Sequence, residues 1–246
     1  MHLNNCINKF RVFLFDFDGT LVNTTPLILR SFKATWQQMF GFTLAESEYR
    51  QTFGIPLETA MVQLLTRLIE ERLITAPTHH DETVTEMVAV YRAFNHEWHD
   101  QMIQPFAGVD ELLLALQARG CRMGLVTSKK RVGVQRGMKI FEMEAFFDVT
   151  VCAEDTRHHK PHPEPLRHAM KGLSAEPDET IYIGDSPHDI VAGKAAGITT
   201  AAAVWGPFAR HELENFAPDY LADSPLELLR LESEVIAARK KNISRE

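Results

Sequence analysis

The chain has 246 residues, 45% of them hydrophobic and 24% charged, with a formal net charge of -7. That length accommodates one large α/β domain or a core domain with a smaller companion, and that composition excludes intrinsic disorder. The negative balance argues against broad attraction to nucleic acid or an anionic membrane, but leaves room for a local basic pocket that takes a small anion. Three widely spaced cysteines, Cys6, Cys121 and Cys152, make neither a disulfide framework nor a zinc pattern and fit a reducing compartment. The first apolar run stops at Asp16, too short for a signal-peptide core or a membrane span, so a cytoplasmic protein is expected.

Val12-Phe13-Leu14-Phe15 reads as a buried strand, because it is short, aromatic-rich and apolar throughout, and is stopped by a polar turn. From Thr24 to Met102 the pattern turns helical with no convincing strand. Leu57, Met61, Leu64, Leu65 and Leu68 share one helical face and Val84, Met87, Val88 and Tyr91 another, with Pro77 and its polar neighbours separating the two helices. Next comes a helix over Val109 to Gln117, stopping at Gly120. Strands are expected at Met123 to Val126, Val149 to Ala153, Ile181 to Ile183 and Thr200 to Val204, with helices over Pro165 to Lys171 and Asp189 to Ala196. Strands without polar alternation suit a parallel sheet covered on both faces, and their alternation with helices marks a Rossmann-like, doubly wound α/β core. Residues 1–23 and 103–246 are therefore expected to form that core, and residues 24–102 an inserted all-helical cap. The charged tail from Glu232, with Arg239-Lys240-Lys241, reads as a solvated helix end.

The polar stops fall at the carboxyl ends of the expected strands, the edge where open α/β sheets bind ligands. In Asp16-Phe17-Asp18-Gly19-Thr20-Leu21, two carboxylates two residues apart can enter one crevice, one to attack phosphorus and one to move protons. Gly19 allows a sharp turn there and lets amides face phosphate oxygens. Taken alone, the hexapeptide is also what an ordinary Asp-Gly turn looks like. Thr127-Ser128 offers a hydroxyl to a phosphate oxygen. Lys160, within His158-His159-Lys160-Pro161-His162-Pro163, can neutralise a nucleophile and a phosphate. In Gly184-Asp185-Ser186-Pro187-His188-Asp189, paired carboxylates can complete an all-oxygen magnesium site with Asp16. Each signal has a bland structural reading by itself; four in order, each after a strand, point to phosphoryl transfer.

These four segments resemble the signature motifs of the haloacid dehalogenase superfamily, and the likeness runs from about Phe13 to Pro218. The helical stretch after the first motif is similar to the cap of one large subgroup. The resemblance implies an aspartyl-phosphate on Asp16, with Asp18 as acid and then base. It implies phosphoryl binding by Thr127 and the Ser128 amide, and Lys160 as the group that orients Asp16. It places Mg2+ on Asp16, the Asp18 carbonyl and Asp185, with Asp189 supporting that site or binding directly.

Within the superfamily, Asp18 disfavours the dehalogenases, which lack that residue. The turn Phe53-Gly54-Ile55-Pro56 has no lysine, which disfavours phosphonate hydrolysis. A sugar phosphomutase remains an alternative, with only Arg50 near that turn to hold a second phosphate, and a non-catalytic regulatory protein is a further one. Within the hydrolases the chain resembles phosphoglycolate phosphatases and, in segments such as Tyr91-Arg92-Ala93-Phe94-Asn95-His96 and Pro161 to Pro165, a related bacterial inorganic pyrophosphatase branch, which implies a small phosphorylated substrate of the phosphoglycolate type or inorganic pyrophosphate; the oligomeric state is left open. Of the remaining features, His96-Glu97-Trp98-His99 lacks the zinc-protease spacing and reads as a helix surface or a cap-core boundary. His158, His159 and His162 read as loop residues, His188 as a neighbour of the metal site, and Trp36, Phe40 and Phe42 as cap packing. Lys129, Lys130 and Arg131 read equally as a source of positive potential or a solvated helix start.

Overall fold

In the computed structural model, which describes residues 9–231, every expected strand forms. In chain order the elements begin with β1 (Val12–Phe15), β2 (Val22–Asn23), α1 (Thr25–Phe40), α2 (Glu46–Arg50), α3 (Leu57–Glu70), α4 (His80–Met102) and β3 (Gln104–Pro105). They continue with α5 (Val109–Ala118), β4 (Arg122–Val126), α6 (Arg131–Ile140), β5 (Val149–Val151), α7 (Glu164–Leu173) and β6 (Thr180–Gly184). The last are α8 (Pro187–Ala196), β7 (Thr199–Ala203), α9 (Arg210–Glu214) and β8 (Tyr220–Ala222). Cys6 and the basic tail from Glu232 lie outside the described residues.

Six strands pair in parallel in the order β5-β4-β1-β6-β7-β8. Numbered within the sheet this is 3-2-1-4-5-6, the doubly wound order that reverses direction between its first and fourth strands. β1 is therefore central and buried along its whole length. Its side chains alternate between two cores, as the two-residue period of a strand requires. Phe13 and Phe15 pack with Met123, Leu125, Ile181 and Ile183 beneath α5 and α6, whereas Val12 and Leu14 pack with Val126, Val151 and Tyr182 beneath α7 and α8. Strand β8 escapes the sequence reading because it has only three residues at the sheet edge, too few to show a pattern. The two-residue strands β2 and β3 pair antiparallel, Val22 with Pro105 and Asn23 with Gln104, and join the two stems of the helical insert.

Helices α1 to α4 bury their apolar faces against one another. Phe32, Trp36, Tyr49, Met61, Leu64, Leu65, Leu68, Met87, Val88 and Tyr91 make a cluster separate from both sheet cores. The two stripes expected in α3 and α4 supply most of it, although Leu57, at the start of α3, is only partly buried. Trp36 is fully buried, with Phe40 and Phe42 packed around the same cluster. No helix among the described residues is long and apolar enough to cross a membrane.

Separate cores give a test. Leu14→Ala in the sheet and Leu65→Ala in the insert, both fully buried, should each cost about 2–5 kcal/mol in urea denaturation. The double variant should show the sum to within about 0.5 kcal/mol; a larger coupling energy would contradict two independent cores.

Candidate active site

The reversal point between β1 and β6 opens a crevice, and Asp16 and Asp185 immediately follow those two strands. Thr127 follows β4 on the other side of Asp16. The backbone there is crowded. Gly19 has φ +80°, and a Cβ on it would lie 2.5 Å from an Asp185 carboxylate oxygen; a Cβ on Gly206 would lie 2.4 Å from the Asp185 Cβ. Only glycine lets these two turns close so tightly on Asp185.

Asp16, Asp185 and Asp189 are all buried, with carboxylate oxygens within 4.8 Å of one another. One buried ammonium lies among them. Lys160 Nζ sits 2.6 Å from Asp189 Oδ1 and 3.2 Å from Asp16 Oδ2, and donates to the Tyr182 hydroxyl at 3.0 Å. Asp189 is fixed by local helix chemistry as well. At the start of α8 the Ser186 side chain accepts from the Asp189 amide, while Asp189 Oδ2 accepts from the Ser186 amide and hydroxyl. The Tyr182 hydroxyl donates to Asp189 Oδ1 at 2.8 Å. Both Asp189 oxygens are thus occupied. Asp16 Oδ1 accepts from the Phe17 amide at 2.8 Å, and Asp185 Oδ1 from the Thr20 hydroxyl at 2.8 Å.

Three carboxylates around one cation leave an excess of negative charge in a dry place. Burial, then the charges of Asp189 and Asp18, push Asp16 up to about 7 despite Lys160. Burial with the charges of Asp189 and Asp16 holds Asp185 well above the ordinary carboxylate range. Burial opposes ionisation of Asp189 too, but the charge and hydrogen bond of Lys160, with Ser186 and Tyr182, outweigh it and hold that carboxyl low. Lys160 is disfavoured as a cation by burial, yet Asp16 and Asp189 more than reverse this and raise it. An all-oxygen cluster short of positive charge is a chemical fit for a hard divalent cation.

Above the carboxylates lies a cavity of about 410 Å³ whose wall includes Asp16, Asp18, Gly19, Thr127, Ser128 and Asp185. Lys160 and Asp189 are not part of that wall. Asp18 is engaged by Lys129, 2.8 Å away, so one of the three basic residues read ambiguously in the sequence joins the site directly. Lys130 reaches across to the insert, to Glu58 at 2.9 Å, which also takes Arg92 at 2.6 Å. The Ser128 hydroxyl likewise donates to the Gly54 carbonyl of the insert at 2.8 Å. Gly54 fits closely there, since a Cβ on it would sit 2.6 Å from Ser186 Oγ and 3.3 Å from the His188 ring. Arg50 instead donates to the Pro207 carbonyl and lines a separate surface groove. His96 and His99 line the main cavity wall; His99 is buried, and its Nε2 has no hydrogen-bond partner. His158, His159, His162 and His188 are not among the residues lining that cavity.

The sequence reading gives no role to Tyr182, Glu58 or Arg92. Tyr182 carried a signal, a hydroxyl within a strand buried on both faces. Glu58 and Arg92 stand 34 residues apart on different helices and carried none.

The model of the haloacid dehalogenase-like hydrolases matches residues 13–203, from the first residues of β1 through the end of β7. The chain belongs to that family. Among curated relatives, pyrophosphatase PpaX of Bacillus mycoides is 36% identical, covering 92% of this chain and 99% of that one, and PpaX of Bacillus anthracis is 36% identical over 92% and 98%. Among solved structures, a haloacid dehalogenase-like family hydrolase from Streptococcus pneumoniae aligns with a TM-score of 0.74 at 25% identity, covering 90% of this chain and 98% of that one. A predicted phosphoglycolate phosphatase from Haemophilus somnus shares the fold with a TM-score of 0.79 at 21% identity, covering 92% and 99%. This haloacid dehalogenase-like hydrolase thus has its family's sheet and helical content over nearly its whole length.

The Lys160 cluster makes a stability prediction. In metal-free protein at mildly alkaline pH, Lys160→Met should cost about 3–5 kcal/mol, because it leaves buried carboxylates uncompensated. Tyr182→Phe, which keeps the Lys160–Asp189 contact, should cost only about 1 kcal/mol. Equal losses in chemical denaturation would contradict the ranking.

Proposed function

We propose that this HAD-type phosphatase is a magnesium-dependent phosphohydrolase of a small phosphorylated substrate, inorganic pyrophosphate or a phosphoglycolate-type monoester, acting through an aspartyl-phosphate on Asp16. The observation that carries this reading is the position of Asp16: it lies in the cavity wall with one oxygen held by the Phe17 amide and the other by Lys160. In this reading residues 1–23 and 103–246 form the catalytic core, residues 24–102 form a cap over it, and the protein works in the cytoplasm.

Lys160 fixes the rotamer of Asp16, and Asp189 and Tyr182 fix Lys160. The Asp16 oxygen attacks phosphorus while the bond from phosphorus to the leaving oxygen breaks, and the Asp18 carboxyl gives its proton to that oxygen. Water then attacks the same phosphorus, Asp18 takes the water proton, and the bond from phosphorus to Asp16 breaks to regenerate the carboxylate. Thr127, the Ser128 amide and the turn at Gly19 receive the phosphoryl oxygens. Bound by Asp16, the Asp18 carbonyl and Asp185, magnesium supplies positive charge that offsets the repulsion between carboxylate and phosphate. Asp189, with both oxygens occupied, serves by holding Lys160 in place.

Asp18 is held by Lys129, and it must be released before it can carry a proton. A substrate with an anionic leaving group does this by competing for Lys129. Lys130 and Arg92, which share Glu58, and Arg136, paired with Asp100 at 2.8 Å, offer further cations at the cavity wall. A second phosphate uses these groups better than an uncharged leaving group does, and the PpaX relatives are named pyrophosphatases. Pyrophosphate therefore leads the candidates.

Phosphate release from pyrophosphate, 2-phosphoglycolate and a sugar phosphate at equal concentration, with magnesium and with EDTA, tests the substrate and the metal together. Magnesium-dependent release, strongest for pyrophosphate, is expected; undiminished release in EDTA would refute the metal requirement. Asp16→Asn should abolish turnover in a folded protein, and Asp18→Asn should slow both half-reactions, by about 10²–10⁴-fold for a lost general acid and base. Wild-type rates in Asp16→Asn would overturn the nucleophile assignment.

A further inference from the structure

The loop that carries Lys160 has a second face, turned outward. There His158 and His162 are exposed, their rings 4.5 Å apart, and Glu164 stands beside both at the start of α7. Their ligand atoms all lie within 4.8 Å of one another. Glu164 Oε2 is 2.7 Å from His158 Nδ1 and 3.9 Å from His162 Nδ1. The first of these is a hydrogen bond; two donor atoms bonded to one tetrahedral zinc ion stand about 3.3 Å apart, so an ion would replace that bond, widen the first separation and close the second.

We infer that His158, His162 and Glu164 form a binding site for a zinc ion, apart from the carboxylate-rich centre behind this loop. Three features make the cluster a prepared one. Glu164 is held by the amides of Arg157 and His158, each at 3.1 Å, so its carboxylate is fixed before any ion arrives. The His162 Nδ1 accepts from the Glu164 amide at 3.2 Å, so this nitrogen carries no proton, and a zinc ion would take over the lone pair that the amide now engages. Pro161 and Pro163 flank His162 and restrict the backbone that presents it. The donor set of two imidazoles and one carboxylate differs in kind from the all-oxygen triad. Imidazole nitrogen favours zinc over magnesium, while the triad favours the harder ion. Three protein donors leave a fourth position for water or for another group. The site would fasten residues 158–164 from outside while Lys160 anchors the same loop from within.

The test is calorimetric titration of zinc chloride into the full chain without an affinity tag, with magnesium in saturating excess. Wild type should bind one equivalent of zinc. His158→Ala and His162→Ala, both at exposed positions and checked for folding by circular dichroism, should each bind at least about tenfold more weakly. The paired substitution His79→Ala with His80→Ala, at a histidine pair of which His79 is exposed and His80 half-buried, should leave binding unchanged. Cobalt titrated in the same buffer should give visible absorption bands of a nitrogen-ligated ion, absent in His162→Ala. No zinc uptake by wild type, unchanged binding in either His158→Ala or His162→Ala, or a loss caused by the His79 and His80 pair would overturn the proposal.

Discussion

One buried ammonium organises this molecule. Lys160 sits between Asp16 and Asp189, and its charge holds Asp189 ionised and offsets part of the cost of burying Asp16. The sheet exists in a form that makes this possible. A strand buried on both faces delivers Asp16 to the point where the strand order reverses, the neighbouring strand delivers Asp185, and the helix that follows starts with the Ser186 cap that aims Asp189. The Lys160 loop then needs only to insert one side chain. The residual excess of negative charge, visible in the raised Asp16 and Asp185, is what a divalent cation and an incoming phosphate would have to work with.

The helical insert meets this centre through polar contacts of modest strength. Ser128 to the Gly54 carbonyl, Lys130 to Glu58, Arg50 to the Pro207 carbonyl and Arg136 to the His96 carbonyl and Asp100 all cross between the insert and the sheet side. Partly exposed ion pairs of this kind contribute about 0–1 kcal/mol each. Each of these contacts is weak beside the hydrophobic cores of the sheet and of the insert. Gly54, with its bare α-carbon against Ser186 and His188, sets how closely the two parts approach.

Much of this was legible in the amino-acid sequence because the relevant signals are local. Uninterrupted apolar runs stopping before Asp16, Thr127 and Asp185 showed the strands whose ends meet in the crevice, and the stripes of α3 and α4 showed the helical insert. Partners supplied by distant segments were not legible. The pairing of Asp18 with Lys129 spans 111 residues, and that of Lys130 with Glu58 crosses from one part of the fold to the other. No periodicity encodes such contacts; they follow from how two separately folded clusters meet. Tyr182 was hidden differently, since its ring satisfies the strand pattern while its hydroxyl serves the charge cluster.

The central claim is that the Asp16 carboxylate itself takes the phosphoryl group. It is tested most directly by quenching Asp18→Asn in acid shortly after mixing with pyrophosphate and magnesium, then mapping phosphorylated peptides by mass spectrometry. The account predicts one phosphoryl group, removed by hydroxylamine, on the peptide containing Asp16 and absent when Asp16→Asn is added. Hydrolysis proceeding with no phosphopeptide at any time point, or a phosphoryl group on another residue, would contradict it.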